Sequence, residues 1–328
     1  MALFNDYMKI ARLIKKSKNI FLMAHKNLDL DALGSQIGMD NILKKKKKNT
    51  FLIIDEKTHE KGVEKVLREL EGCINIIKGE EVEKNLYPKT SKNLLIILDT
   101  NKEELVQNSK VLDFFSNKII IDHHDLGVTT IEDALIIQDS STSSTCEMIT
   151  KLLEYYDMDI EPYYATLLLA GIVLDTNNFT LNTTVDTFYA AYHLTRMGAS
   201  AKKVQYLLKQ DIEEYAERQQ LLTSLETINN KIAFTKGTTH MEYRKEDLAK
   251  VADTLLFFNN IEASFVIGRI GKNTIGLSAR SLGNYDILNI LEKLGGGGDS
   301  TSGAATFEDT TISKVEQNLK KLIKEEGE

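Results

Sequence analysis

The chain has 328 residues, more than one compact core usually holds and enough for two domains. Hydrophobic residues make up 42% and charged residues 27%, which excludes an intrinsically disordered chain; the net charge of −7 excludes a general nucleic-acid coat with a basic surface. Cys73 and Cys146 supply neither a disulfide framework nor a zinc pattern, so a reducing, cytoplasmic setting is expected. The longest apolar run, 165–174, is far shorter than a bilayer span, and the N-terminus has no secretory apolar core. A soluble chain is expected, compatible with its being the soluble part of a longer, membrane-anchored protein.

Tyr7, Ile10, Leu13 and Ile14 predict an opening helix over 6–16. The apolar run 19–24 predicts a strand that ends in His25, followed by Asp29, Asp31 and a helix over 32–43. An imidazole and two carboxylates in a loop after a buried strand make half of a metal site, although Asp29 is equally an ordinary helix N-cap. The lysine run 44–48 reads as a solvated helix end, favoured by the helix dipole, rather than a phosphate site. Further strands are predicted at 51–54, 74–77, 94–98 and 118–121, with a helix at 60–70. The unbroken Leu and Ile of 94–98 suit a parallel strand covered on both faces; it ends in Asp99, and 118–121 ends in Asp122, His123 and His124. This alternation predicts an α/β domain with a doubly wound, mostly parallel sheet. Ligands of such sheets gather at the carboxyl ends of strands, where His25, Asp99 and Asp122 to His124 all fall.

The hydroxyl-rich stretch 140–145 leads into a helix over 146–156, and Ser143 and Ser144 either cap that helix or help its N–H groups hold a phosphate. The apolar helix 165–174 ends in Asp175, an acid costly to bury unless paired or metal-bound. Helices at 187–197 and 201–208 follow, then a polar helix at 212–228 that reads as a connector. Beyond 229, strands at 231–235, 263–270 and 274–280 and helices at 245–258, 285–294 and 313–324 predict a smaller α+β domain. The expected division is a catalytic domain at 1–200, a helical linker at 201–228 and a second domain at 229–328. Arg280 in that domain suits a bidentate phosphate contact or a surface ion pair. Gly295, Gly296, Gly297 and Gly298 either let backbone N–H groups approach a phosphate or base, or form a flexible turn.

His25, Asp29, Asp31, Asp99, His123 and Asp175 come from four separate places in the chain. If they converge, four carboxylates crowd one pocket and repel one another severely. A pair of divalent ions ~3.5–4 Å apart, bridged by one carboxylate, relieves this and makes a phosphoryl-hydrolysing centre. Carboxylates mixed with imidazole suit manganese better than calcium, with magnesium next and zinc disfavoured without thiolates.

The set His25-Lys26-Asn27-Leu28-Asp29-Leu30-Asp31, Asp99-Thr100, Asp122-His123-His124 and Asp175-Thr176 resembles the successive motifs of the DHH phosphoesterase family. The glycine run resembles the family's C-terminal DHH-associated substrate-binding domain. Residues 143–145, 170–181 and 278–283 look most like the branch that hydrolyses cyclic di-AMP, and next like the oligoribonuclease/pAp phosphatases. The resemblance implies two divalent ions, manganese ahead of magnesium or cobalt. His25, Asp29 and Asp99 would hold one; Asp31, Asp99, His123 and Asp175 would hold the other, with Asp99 bridging. It implies hydrolysis of cyclic di-AMP to linear pApA by a water activated between the ions. Asp122 would orient a ligand imidazole, and His124 would donate to the phosphate or the leaving 3′ oxygen, unless it is merely packed. Ser278, Arg280, Gly295 to Gly298, Asp299, Ser143 and Ser144 are the implied substrate contacts. The partner would be a cyclic dinucleotide or short linear oligonucleotide rather than a long duplex, and a homodimer would be ordinary.

One departure stands out: the family usually has a histidine after the glycines, where this chain has Asp299. A carboxylate beside a phosphate repels it. Two alternatives follow: a hydrolase of linear pApA or short RNA oligomers, and a sensor that binds a dinucleotide without cleaving it.

Overall fold

The computed structural model describes residues 2–56, 59–84, 90–127, 129–298 and 300–326, so Asp299 lies outside the described residues. The chain forms two compact units, Met1–Lys209 and Gln210–Glu328. In the first, α1 (Ala2–Lys16), β1 (Asn19–Met23), α2 (Leu30–Lys45), β2 (Asn49–Ile53), α3 (Lys61–Glu69), β3 (Ile76–Ile77), α4 (Gly79–Glu83) and β4 (Asn93–Leu98) come in that order. Two 3-10 turns, Glu103–Leu105 and Ser109–Phe114, precede β5 (Lys118–Asp122) and β6 (Leu135–Gln138). The unit closes with α5 (Thr145–Tyr155), α6 (Pro162–Asp175), α7 (Val185–Arg196) and α8 (Ala201–Leu207).

Its strands form one parallel sheet in the order β3-β2-β1-β4-β5-β6. The apolar strands have no polar face because both faces are covered. Ile20, Leu22, Leu52, Ile96 and Ile119 pack on one side under the long helices. Phe21, Met23, Ile53, Leu95, Ile97 and Ile120 pack on the other against Val82, Val106, Val111 and Phe115. That second layer is built from α4 and the 3-10 turns, so it is thinner than the first. Strand order reverses between β1 and β4, and at such a switch point the chains leaving the two strands diverge and open a crevice. His25 and Asp99 are at this place.

Helices α2 and α6 are buried almost throughout; α6 is mostly apolar, as burial on all sides requires, whereas α2 also buries Asp31, Ser35, Gln36, Asp40 and Asn41. Pro162, pre-set for a first helical position, opens α6. The two helices touch through glycines: a Cβ on Gly34 would lie 2.9 Å from the Leu167 carbonyl oxygen, and one on Gly171 2.7 Å from Asp31 Oδ1. The lysine run closes α2, with Lys44, Lys45 and Lys48 donating to the carbonyls of Cys73, Asp159 and Ser17.

The second unit contains α9 (Ile212–Gln219), a 3-10 turn (Gln220–Ser224), β7 (Glu226–Ile228), β8 (Ile232–Lys236), α10 (Lys245–Leu255), β9 (Ala263–Arg269) and β10 (Thr274–Ser281). It ends with α11 (Ile287–Lys293), β11 (Gly297–Gly298), β12 (Ser302–Glu308) and α12 (Ile312–Glu326). Its sheet order is β11-β12-β10-β9-β8-β7, with β8 and β9 parallel and the other neighbours antiparallel. Helix α10 covers one face; α11 and α12 cover the other. The fold class is α/β with a second α+β unit, as expected. The polar helix expected over 212–228 is corrected: it stops at Gln219, and 226–228 is a strand. Asn229 and Asn230, at φ 53° and 57°, make the mirror-image turn that joins β7 to β8 as a hairpin.

Candidate metal centre

Strand β1 delivers His25 to the crevice, where its Nδ1 lies 2.5 Å from the Lys26 carbonyl oxygen. The Gln107 amide holds the His25 carbonyl at 2.7 Å. This leaves Nε2 facing Asp99 Oδ2 at 3.2 Å and Asp29 Oδ2 at 3.8 Å. Asp29 is both a cap and a candidate ligand. Its Oδ1 accepts from the Asp31 and Ala32 N–H groups at 2.9 Å, and its Oδ2 faces the imidazole. Capping and metal binding are therefore not alternatives here, because the carboxylate offers one oxygen to each.

Asp31, fully buried in the first turn of α2, accepts from the Thr145 and Cys146 N–H groups at 2.8 Å each. The N-terminus of α5 thus points its unsatisfied donors and the positive end of its dipole at this carboxylate. The Thr145 hydroxyl donates to Asp99 Oδ1 at 3.0 Å. Asp99 stands at the end of β4 with φ 61°, a left-handed backbone uncommon outside glycine. Its Oδ1 is 3.5 Å from His123 Nε2, so its two oxygens face two different imidazoles. His123 Nε2 is also 3.3 Å from Asp175 Oδ2, at the last residue of α6.

Three overlapping groups bring ligand atoms close enough to hold a metal ion: His25, Asp29 and Asp99; Asp31, His123 and Asp175; and Asp99, His123 and His124. Asp99 and His123 each belong to two of them. His123 Nε2 is buried without a hydrogen-bond partner, as an imidazole nitrogen directed at a cation would be. The donor set of carboxylate and imidazole, with no thiolate, fits a divalent metal of the manganese or magnesium type.

The electrostatics agree. Burial, reinforced by the charge of Asp99, pushes Asp31 up to about 7. Burial and the charges of Asp31, Asp29 and Asp99 hold Asp175 well above the usual carboxylate range. Burial would also raise Asp99, but the neighbouring His123 and His25 imidazoles win and hold it well below that range. Burial alone would lower both imidazoles; the close Asp99 carboxylate instead lifts His25 to about 10 and His123 to about 9. The cluster is one that binds cations, whether protons or metals.

Asp122 is fully buried and accepts from Asn101 Nδ2 at 2.6 Å. It also engages His124 Nδ1 at 2.8 Å and its N–H at 3.2 Å. The imidazole it orients is that of His124, whose side chain is 56% exposed and whose Nδ1 is 3.9 Å from Asp99 Oδ1. Ser143 and Ser144 are buried and engaged in capping α5: Ser143 Oγ donates to Glu147 at 2.6 Å, and Ser144 Oγ accepts from the Glu147 N–H at 3.1 Å. Of the two readings of these serines, capping is the one the hydrogen bonds fit. The sequence reading missed Thr145, the Cys146 N–H and Asn101. The helix N-terminus after 140–145 was the available signal, but its donors go to Asp31 rather than to an anion from outside.

In the second unit, Arg280 Nε pairs with Asp253 at 2.7 Å, and its Nη1 lies 3.4 Å from Ser278 Oγ. The register places the glycine run beside them, with Gly298 opposite Gly303 and Gly303 opposite Ala279. Gly298, at φ 153°, admits no side chain because a Cβ would strike Ser302 and Gly303; around Gly297 there is open space.

A doubly wound sheet with three overlapping carboxylate–imidazole groups at its switch point presents a candidate metal centre of the kind on which phosphoesters are cleaved. The chain belongs to the DHH phosphoesterase family: the N-terminal domain of the DHH family matches residues 19–172, and the DHHA1 domain matches 229–326. The cyclic-di-AMP phosphodiesterase GdpP of Geobacillus thermodenitrificans is 36% identical over 321 residues, covering 96% of this chain and 48% of that protein. The chain thus spans about half the length of these curated relatives. The bifunctional oligoribonuclease and PAP phosphatase NrnA of Thermus thermophilus is 26% identical, covering 94% of this chain and 90% of that one. The crystal structure of an exopolyphosphatase-related protein from Bacteroides fragilis shares the fold, with TM-score 0.79 and 19% identity over 99% of this chain and 98% of that one. Among the described residues, no helix is long and apolar enough to cross a membrane.

Proposed function

We propose that this chain is a metal-dependent phosphodiesterase that hydrolyses cyclic di-AMP to linear pApA. The observation that carries the reading is Asp99, whose two oxygens face His25 and His123 and which belongs to two of the candidate ligand groups. The name and 36% identity of the Geobacillus relative support the substrate. His25, Asp29 and Asp99 would hold one manganese ion, and Asp31, Asp99, His123 and Asp175 the other. Bound there, the ions supply an activated water and neutralise charge on the phosphate oxygens. The chain's own groups do the rest. The α5 N–H groups fix Asp31, and the Thr145 hydroxyl fixes Asp99. Asp122 holds the exposed His124 ring, and His124 Nε2 would give a proton to the leaving 3′ oxygen. Arg280, Ser278 and the Gly295 to Gly298 run are the proposed phosphate and base contacts of the second domain, and Asp299, next in sequence, is proposed with them.

Incubating the protein and manganese separately with cyclic di-AMP and with pApA tests the substrate. Chromatography should show the cyclic compound consumed and pApA formed. The likeness to NrnA and the carboxylate at Asp299 favour a second reading, cleavage of the linear dinucleotide to mononucleotides. Turnover of pApA with the cyclic dinucleotide untouched would establish that reading in place of the first.

A further inference from the structure

Away from the carboxylate cluster, the first unit concentrates positive charge in a chain whose net charge is −7. Lys61, Lys65 and Arg68 follow one another along α3 at a spacing that puts them on one helix face. Helix α8 and the residues after it add Lys202, Lys203 and Lys209, which with Ser200, Gln205 and Tyr206 line a cleft of about 600 Å³. The two helices meet at Gly62, where a Cβ would lie 2.8 Å from the Leu207 carbonyl oxygen and 3.1 Å from Leu30 Cδ1.

Two of these cations, Lys65 and Lys203, are held by contacts of the fold. Lys65 Nζ donates to the Tyr206 carbonyl at 2.9 Å and sits 4.6 Å over that ring. Lys203 Nζ lies 4.7 Å from the same ring and 2.6 Å from Glu69. Lys65 and Lys203 thus share one aromatic ring, and burial, followed by the charges of Lys209, Arg68 and Lys203, lowers the Lys65 ammonium below its ordinary value. Glu69 answers part of this charge, but it is already shared between Lys203 and the Tyr163 hydroxyl. Such a cluster is stabilised by an anion with several negative groups.

Its position adds a second argument. The seam at Gly62 rests on Leu30, which lies between Asp29 and Asp31 in sequence. From Lys61 to Arg68 the helix rises roughly 10 Å. The row begins at Lys61, next to the glycine that packs on the residue between Asp29 and Asp31.

We propose that the lysine-lined cleft along α8, with the basic face of α3, is a second anion site that takes a chain of phosphate groups. Two sources have this chemistry: the backbone of a short linear oligonucleotide and a free polyphosphate. Inorganic tripolyphosphate and a short linear oligoadenylate are each titrated into the full chain by calorimetry, without added divalent ions so that chelation does not contribute. Both should bind with an affinity that falls as salt rises. The Lys65→Gln/Lys209→Gln variant should bind at least tenfold more weakly. Lys202→Gln/Lys209→Gln, which keeps the Lys65–Tyr206 contact, should also weaken binding, and both variants should keep the wild-type melting temperature and turnover of cyclic di-AMP. Tighter binding of the oligoadenylate assigns the site to a nucleic-acid backbone; tighter binding of tripolyphosphate assigns it to free polyphosphate. Absence of binding to the wild-type chain, or equal binding by both variants, overturns the proposal. Because binding is read apart from turnover, the anion site and the hydrolase activity can fail independently.

Discussion

The left-handed backbone of Asp99 aims its carboxylate between two imidazoles, and such a conformation costs a non-glycine residue about 1–3 kcal/mol unless its surroundings hold it. Thr145 is one of the groups that hold it, through a hydroxyl at 3.0 Å. Thr145→Val removes that hydroxyl but keeps the N–H that serves Asp31. It should weaken manganese binding about tenfold, the usual scale for a group that orients a ligand, while leaving the melting temperature nearly unchanged. Thr145→Ser should restore the affinity, and unchanged binding in the valine variant would remove Thr145 from this role. The same cluster makes stability depend on pH. Asp31, raised to about 7, favours the folded state less and less as pH climbs from the ordinary carboxylate range to 7, beyond which the loss is complete. His25 and His123 contribute stability that is fully present below their ordinary 6.5 and is lost as pH rises through about 9 and 10. All three effects lower the stability of the metal-free protein at alkaline pH, where divalent ions bind best because fewer protons compete. The rise in melting temperature on adding manganese should therefore be larger at pH 8 than at pH 6; equal rises would show that the titrating groups are not the ones that take the ion.

At the scale of elements, what could be read in the sequence follows from burial. Strands β1, β4 and β5 are covered on both faces, so they appear as unbroken apolar runs, and the acids and imidazoles that end them are conspicuous. Asp175 is visible for the same reason, at the end of the largely apolar α6. The paired donors of α5 were harder to see, because a helix N-terminus after serines and threonines looks the same whether it caps itself, binds an anion or braces a carboxylate; only the fold brings Asp31 to it. Strand β6 is a short edge strand with a weak pattern, and β12 (Ser302–Glu308) is small and polar at its start; its partner β10 makes it a strand. The β7–β8 hairpin did have a signal, Asn229-Asn230, which the helical look of 212–228 outweighed.

At the scale of the whole molecule, the sheet order accounts for how residues 74 positions apart in sequence, His25 and Asp99, come to lie 3.2 Å from each other: β1 and β4 are neighbours across the switch point, and the chain leaves both at the same end. The second unit supplies another sheet, on which Ser278, Arg280 and the glycine strand lie in register. The division of labour proposed here gives the first unit the metal chemistry and the second the recognition of the nucleotide. Its central claim is that one carboxylate joins two cation sites. Titrating manganese into the wild type and into Asp99→Asn, with calorimetry as the readout, tests it most directly. The wild type should take up a pair of ions, and the variant, with only a neutral amide between His25 and His123, should fail to hold the pair. A variant that binds two ions as tightly as the wild type, or a wild type that binds only one, would contradict the account.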